Sequence, residues 1–159
     1  MGYTISEKIL AKHANLPATR AGDVVICSVD FAMVTDTRAS NTIKMINKIG
    51  SKDLIFAKNT AFVMDHYSPP PNLEAAEIHT QMRAFSQDAG IQLYDIGDGI
   101  CHQVMPEGGH LTAGNLVVGT DTHSVSYGAF NAFGTGIEGT DVSAVMATGK
   151  LWFKVPETV

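Results

Sequence analysis

The sequence has little positive charge and no long apolar run, and each lack excludes a class of protein. Lys and Arg number 11 against 16 Asp and Glu, which gives a formal net charge of −5. Without a cluster of basic residues there is no electrostatic surface of the kind that nucleic acids require, so we expect no nucleic-acid partner. No apolar run approaches the roughly 20 residues of a membrane-spanning helix, so we expect no membrane association.

Cysteine is also scarce. The chain has two, Cys27 and Cys101, and neither belongs to a CxxC pair. Two isolated cysteines argue against a disulfide framework and favour reduced thiols. The first residues show neither the apolar segment of a secretory signal nor the Arg-rich pattern of a transit peptide, so a cytoplasmic location is expected.

Helical and strand patterns alternate along the chain. Thr4 and Glu7 have the spacing of a capping box, which predicts a first helix of about ten residues. Further helices are expected to begin at Ser40, at Asn72 (with Leu73 on its inner side) and near residue 140. Apolar runs predict strands at residues 23–30, 61–64, 91–96 and 116–119, the first of them buried on both faces.

This alternation predicts an α/β fold, a three-layer α/β/α domain with a largely parallel sheet. Residues 1–159 are expected to form a single domain. Trp152 and Phe153 lie close to the last residue and are large enough to require burial. They mark no obvious domain end, so a truncated polypeptide is one interpretation.

Three of the predicted strands lead into a histidine. Asp65 and His66 follow the second strand, His102 follows the third, and Asp121 and His123 follow the fourth. In a parallel sheet, ligands bind beyond the carboxyl ends of the strands, so these side chains are expected to share a site. Histidine beside carboxylate suits acid–base chemistry. Three histidines also suit Zn²⁺, and the spacing does not decide between the two.

Glycine supports a site in the same region. Most of the 15 glycines lie between residues 97 and 149. Glycine is favoured where a ligand must approach the backbone closely. The remaining histidines fall on predicted helices or in a loop, and we expect them to be structural or solvated: His13, His79 and His110.

Several short segments form a set whose order and spacing are specific. They are Asp65-His66, residues 99–103 (GICHQ), residues 119–123 (GTDTH), residues 128–130 (GAF) and residues 146–157 (MATGKLWFKVPE). The set resembles the aconitase superfamily, in particular the N-terminal domain of the large subunits of 3-isopropylmalate dehydratase and homoaconitase. The large subunit of 2,3-dimethylmalate dehydratase has the same layout. The resemblance covers essentially the whole chain.

The resemblance implies a hydro-lyase that removes water from a malate-type hydroxy acid and adds it back in the other orientation. The substrate expected first is 3-isopropylmalate, followed by that of homoaconitase. The alternatives are 2,3-dimethylmalate dehydratase and a stand-alone zinc-binding or ligand-binding module that uses the three histidines.

The resemblance also implies a [4Fe–4S] cluster in the full-length enzyme. Its three cysteine ligands lie further along the large subunit than residue 159, and neither Cys27 nor Cys101 falls at a ligand position. We therefore expect no metal ligand in this chain and no cluster bound to it alone. The implied partners are the remainder of the large subunit, a small subunit and a small hydroxy-acid substrate. The chain by itself is expected to be inactive.

The positions of the matched motifs imply roles for individual residues of this chain. Asp65 and His66 would form a pair that assists departure of the hydroxyl, and His102 and Asp121 would form a second pair. His123 completes the family's Asp-Ser-His triplet.

Thr122 stands where that triplet has Ser, and its hydroxyl would bind a substrate carboxylate. Asp36 and Ser40 are further candidates for substrate contact, although their segment, TDTRASN, departs from the family pattern. Arg38, in the same segment, is a cation that could face a substrate carboxylate, but a solvated arginine is the preferred interpretation.

Overall fold

The computed structural model describes residues 2–50 and 54–158, which contain two sheets and the helices that cover them. The strands are β1 (Val24–Ser28), β2 (Phe31–Thr35), β3 (Thr60–Val63), β4 (Gln92–Tyr94), β5 (Leu116–Gly119), β6 (Phe133–Gly136) and β7 (Lys150–Lys154). The α-helices are α1 (Ile5–His13), α2 (Asp36–Ile49), α3 (Leu73–Ala89), α4 (Cys101–Glu107) and α5 (Gly139–Thr148). Short 3₁₀ helices span Ala57–Asn59 and Thr122–Phe130.

The main sheet has five strands in the order β4-β3-β2-β5-β6, and every neighbouring pair is parallel. Its central strands are buried along their whole length. The prediction of an α/β fold with a largely parallel sheet is confirmed. It succeeded because a strand buried on both faces leaves a continuous apolar run in the sequence.

Successive side chains of the central strands point to opposite faces, and a separate core covers each face. On one face Val34 packs in a cluster that includes Met82 of α3 and Met146 of α5. On the other face Met33 packs in a cluster that includes Met105 of α4. Full burial of a side chain of this size contributes about 1.5–3 kcal/mol to stability. Helices on both faces make this a three-layer α/β/α arrangement.

The first predicted strand forms, but it does not belong to the main parallel sheet. β1 pairs with β7 in an antiparallel sheet of two strands, and its residues alternate between exposed and buried. The parallel strand of this region is β2, which begins three residues after β1 ends and continues directly into α2. An apolar run records burial but not the partner strand, and the predicted run at residues 23–30 ends just before β2, which was not predicted.

Most predicted helix ends agree with the structure, but one predicted helix start and one predicted inner residue are wrong. Thr4 caps α1, with a capping box to Glu7, and Asn72 caps α3, both as predicted. Gly90 ends α3 in a left-handed conformation. The predicted helix start at Ser40 is wrong, because Thr35 is the N-cap of α2 and Ser40 lies inside that helix. Leu73 was expected on the inner side of α3 but is 75% exposed.

The last strand departs from expectation in one respect. Phe153 is buried as predicted, whereas Trp152 is 62% exposed. Trp152 lies opposite Ile26 in the β1–β7 ladder, and Ile26 is exposed as well. Among the described residues, none of the helices combines the length and the apolar character needed to cross a membrane.

Candidate active site

The site lies where the chain changes direction in the sheet. From β2 the chain moves through β3 to β4 on one side, and it then returns to β5 and β6 on the other side. A parallel sheet opens a crevice at the carboxyl ends of the two strands flanking such a switch point. Here the two strands are β2 and β5, and the backbone N–H of Thr35 donates to Oγ1 of Thr120 at 2.9 Å across their ends.

The carboxylate of Asp121 brings three histidines together at this edge. Nε2 of His102 lies 2.9 Å from its Oδ1, and Nε2 of His66 lies 3.2 Å from its Oδ2. Nδ1 of His123 lies 3.1 Å from Oδ1, and the backbone N–H of His123 donates to the same oxygen at 2.7 Å. Four of the side chains expected to share a site therefore contact one another.

These contacts lower the pKa of Asp121. Burial raises the pKa of this carboxyl, but the hydrogen bonds from the His123 backbone, His102 and His66 outweigh burial and bring the pKa to about 2. Asp121 is therefore ionised at neutral pH. An ionised carboxylate can only accept hydrogen bonds, so each ring nitrogen facing it carries a hydrogen.

Asp65 completes the set from the loop after β3. Its Oδ1 lies 2.6 Å from Nδ1 of His66, and its Oδ2 accepts from the backbone N–H of Cys101 at 2.7 Å. Both ring nitrogens of His66 thus face carboxylates. Burial lowers the pKa of His66, but the hydrogen bonds and charges of its carboxylate neighbours outweigh burial and raise it. The protonated imidazolium is the form of His66 that this environment favours.

The catalytic candidates differ in their access to solvent. The side chain of His123 is 80% exposed, that of His66 is 35% exposed and that of His102 is 25% exposed. The ring of His102 also packs edge to face against Tyr127. His66 and His102 are thus partly enclosed and still within reach of a ligand.

A cleft of about 470 Å³ opens beside Asp121, at the ends of β5 and β6. Thr120, Asp121 and Thr122 form part of its wall. Arg38, on α2, lies in the same wall, and its Nε is 3.7 Å from Oε2 of Glu138. The cleft therefore combines hydroxyls and one cation with the carboxylates of Asp121, Glu138 and Asp141.

The structure separates the two further candidates for substrate contact from this cleft. Asp36 is fully buried at the start of α2, so it has no surface with which to touch a substrate, and that expectation is wrong. Ser40 lies one turn further along α2 and is half-buried. Sequence reasoning could not see which faces of α2 the rest of the fold would cover.

Two glycines near the site leave room for Ser124. A Cβ added to Gly119 would overlap with Oγ of Ser124, and one added to Gly134 would overlap with the carbonyl oxygen of Ser124. Ser124 belongs to the 3₁₀ helix that follows Asp121. These glycines thus let that helix pack closely on the ends of β5 and β6, which holds Asp121 and His123 in place.

Among the described residues, side chains of the types that can bind a metal ion come together in two sets. Potential ligand atoms of His102, Asp121 and His123 lie within 4.8 Å of one another, and so do those of Asp36, Asp65 and His66. Neither set contains all three candidate histidines. The two cysteines do not fit a cluster site: Cys27 is buried on one face of the sheet and Cys101 on the other. Burial raises the pKa of Cys27 to about 11 and that of Cys101 further, whereas a cluster requires several thiolates.

Sequence reasoning missed three contributors to the site. Thr35 and Thr120 join the ends of β2 and β5, and the backbone N–H of Cys101 holds Asp65. Thr120 lies within the GTDTH segment, so its position beside Asp121 could have been found. The contributions of Thr35 and of the Cys101 backbone depend on the order of the strands, which no local pattern shows.

Residues 7–159 match the aconitase family (aconitate hydratase). The chain is 44% identical over 159 residues to 3-isopropylmalate dehydratase large subunit 1 of Methanopyrus kandleri, a match that covers 99% of this chain and 38% of that protein. A probable 3-isopropylmalate dehydratase large subunit of Methanothermobacter thermautotrophicus is 42% identical over 160 residues, covering 100% of this chain and 38% of that protein. The 3-isopropylmalate dehydratase large subunit of Moorella thermoacetica is 43% identical over 161 residues, with the same coverage.

The chain thus spans about 38% of the length of these relatives and corresponds to their N-terminal part. The motifs that carried the resemblance include Asp65-His66 and the segment around Asp121, which the fold brings together at one edge of the sheet. Because the family match runs through nearly all of these 159 residues, the chain belongs to the aconitase family.

Proposed function

We propose that this chain is the N-terminal domain of the large subunit of a hydro-lyase that dehydrates and rehydrates a malate-type hydroxy acid. The observation that carries the proposal is the meeting of His66 and His102 on the two oxygens of Asp121. The relatives are named for 3-isopropylmalate dehydratase, which makes 3-isopropylmalate the first candidate substrate. The homoaconitase substrate comes next, and then 2,3-dimethylmalate.

In this proposal His66 acts as the acid. Its two ring nitrogens face Asp65 and Asp121, so it carries a proton at Nε2 as well as at Nδ1. A substrate hydroxyl that replaces Asp121 as the acceptor of Nε2–H would receive this proton as the C–O bond breaks, and the proton on the adjacent carbon would pass to a base supplied by another part of the enzyme. Asp65 and Asp121 stabilise the positive charge of the ring before the transfer and fix its orientation.

His102 is the second acid–base group. Its Nε2 bonds to Asp121 at 2.9 Å, and its side chain is partly exposed, so it is placed to exchange a proton with bound water. Thr122 and Arg38 border the cleft beside Asp121 and would bind a substrate carboxylate. The substrate would then span the distance from this cleft to the histidines.

A [4Fe–4S] cluster, typical of the family, would supply Lewis-acid chemistry at the substrate hydroxyl. The two cysteines of this chain do not meet in one site, so other parts of the enzyme would hold the cluster. The proposal therefore includes the remainder of a large subunit and a small subunit as partners. It treats these 159 residues as one domain that supplies one wall of the site.

The test is an activity assay on the complete protein that contains this chain, combined with its small subunit and with the cluster reconstituted. Each candidate hydroxy acid is offered separately, and formation of the carbon–carbon double bond is followed by ultraviolet absorbance. We expect turnover of 3-isopropylmalate above that of the others. If none of the three substrates is dehydrated, the proposed reaction is wrong.

A zinc-binding module is the second candidate, favoured by the grouping of His102, Asp121 and His123 within ligand distance. It would need no other subunit. Metal analysis of the purified chain separates the two candidates. Stoichiometric zinc that is lost in the variants His102→Ala and His123→Ala would favour the module over the hydro-lyase domain.

A further inference from the structure

Asp36 lies behind the site, at the carboxyl end of β2, and is completely buried. Its Oδ2 accepts from the backbone N–H of Tyr67 at 2.9 Å and from Nε2 of His79 at 3.1 Å. Its Oδ1 has no hydrogen-bond partner among the described residues and lies 3.9 Å from Nδ1 of His66. One buried carboxylate oxygen thus remains free, and it faces the ring of His66.

The surroundings of His79 indicate which of its ring nitrogens carries the hydrogen. The ring is 1% exposed, and its Nδ1 has no partner in the part of the chain that the structure describes. A hydrogen on Nδ1 would be a buried N–H without an acceptor, whereas a hydrogen on Nε2 points to Asp36. His79 therefore serves as a hydrogen-bond donor to Asp36.

The carboxylate of Asp36 is placed only to accept hydrogen bonds. A proton on its free oxygen would be a buried O–H with no acceptor, and the other oxygen already accepts two hydrogen bonds. An isolated buried carboxylate is costly, so its negative charge needs a positive group nearby. The closest candidate is His66, whose two nitrogens are both protonated when it bonds to Asp65 and Asp121.

Titratable groups from five elements surround His66. Asp65 comes from its own loop, Asp121 from the loop after β5 and Asp36 from α2. His102 of α4 and His123 of the second 3₁₀ helix also bond to Asp121, so they compete with His66 for that carboxylate. Of the three carboxylates, Asp36 alone has a fully buried side chain, so its field is the least weakened by water and salt.

We propose that Asp36 and His79 form a buried positioning pair for His66. His79 and the backbone of Tyr67 hold the carboxylate of Asp36 in one orientation, and its free oxygen keeps a fixed negative charge against Nδ1 of the His66 ring. This charge favours the protonated ring and fixes the side of the ring that faces Asp36. The use of that proton in dehydration rests on the proposed function, whereas the coupling of Asp36 to His66 does not.

The test is a pH titration of His66 by NMR in the 159-residue chain and its variants. In Asp36→Asn, the midpoint of the His66 titration should fall by about one pH unit, which is a tenfold loss of proton affinity. The matched control is Asp30→Asn. Asp30 also pairs with a histidine, His13, at 2.7 Å, but it lies at the opposite end of β2 from Asp36.

Two variants of His79 test the pair without altering Asp36. His79→Leu removes a donor from the carboxylate, so Asp36 takes up a proton more readily and the His66 midpoint should fall. The amide of His79→Gln can donate to Asp36 in place of Nε2, so this variant should restore a midpoint close to that of the unaltered chain. These variants also test the coupling of Asp36 to His66 if Asp36→Asn does not fold.

An unchanged His66 midpoint in Asp36→Asn, or in His79→Leu if the first variant is unfolded, would overturn the proposal. An equal fall in Asp30→Asn would overturn it as well, because the effect would then be general. In the complete enzyme, Asp36→Asn should shift the high-pH limb of kcat to lower pH. A lowered midpoint in an enzyme that dehydrates none of the hydroxy acids would leave the pair in place and reject only the proposed function.

Discussion

Oδ2 of Asp65 accepts a hydrogen bond from the backbone N–H of Cys101 at 2.7 Å. Asp65 follows β3 and Cys101 is the first residue of α4, so this bond joins two segments that are 36 residues apart. Burial raises the pKa of Asp65, but the bonds from Cys101 and His66 outweigh it and lower the pKa. The site thus depends on backbone groups as well as on its histidines, and several measurable properties follow from this arrangement.

The stability of the chain should depend on pH through the Asp121 network. The pKa of Asp121 falls from 3.8 to about 2 on folding, so its contribution is present above pH ~4 and is lost as the pH drops toward 2. The pKa of His66 is raised above 6.5, so its contribution is present below pH ~6.5 and is lost as the pH rises through the higher, folded-state value. We expect the contribution of the network to be largest between these limits.

Urea unfolding of the chain and of Asp121→Asn at a series of pH values tests this pH dependence of the free energy of unfolding. The variant should be destabilised most between pH ~4 and ~6.5, and the difference should shrink toward pH 2. A difference that stays constant from pH 2 to pH 8 would show that Asp121 acts through packing alone.

Replacement of His102 by Ala should impair catalysis in the complete enzyme without unfolding it. An acid–base group contributes typically 10²–10⁴-fold, and we expect a loss of kcat within that range. The measurement is the steady-state rate of dehydration, with circular dichroism as the check on folding. His13→Asn serves as the control, because His13 bonds to Asp30 at the opposite end of β2. Near-normal turnover in the His102 variant would contradict the role given to this residue.

Gly134→Ala should destabilise the chain, because the new Cβ would overlap with the backbone carbonyl of Ser124. Backbone atoms cannot rotate away, so a cost of about 1–3 kcal/mol or more is expected. Gly128→Ala is the matched control: Gly128 lies in the adjoining 3₁₀ helix, and no atom lies within 4 Å of its added Cβ. Chemical denaturation of both variants should show a loss for Gly134→Ala alone, and equal stabilities would contradict the packing described for β6.

Both thiols should resist alkylation in the folded chain. Cys27 and Cys101 are 0% and 1% exposed, and burial raises the pKa of each, so the reactive thiolate is scarce. Labelling with iodoacetamide at pH 8, followed by mass spectrometry, should modify neither residue until denaturant is added. Rapid modification of Cys101 under native conditions would show that α4 opens at its first turn.

Local signals were enough to predict much of the fold. The capping box of Thr4 and the terminal glycine at Gly90 mark helix ends, because the groups that satisfy the free backbone atoms are neighbours in sequence. The apolar runs at β3 and β5 mark strands that are buried on both faces. By contrast, β6 has the sequence FGTG, whose glycines lack strand propensity, so only its position beside β5 makes it a strand.

The residues of the site were predictable as types, but their partners were not. The sequence by itself determined that Asp65, His66, His102 and Asp121 would follow strands near one edge of a parallel sheet. Only the tertiary structure decided that two histidines, 55 and 19 residues away from Asp121, would share its carboxylate.

The same holds for Asp36, which the sequence suggested as a substrate contact and which the fold buries against His79, 43 residues away. The physical reason is that periodicity and capping record interactions within a few residues of each other. The order of strands, and hence which loops meet, is decided by long-range packing of the whole sheet between its two helical layers.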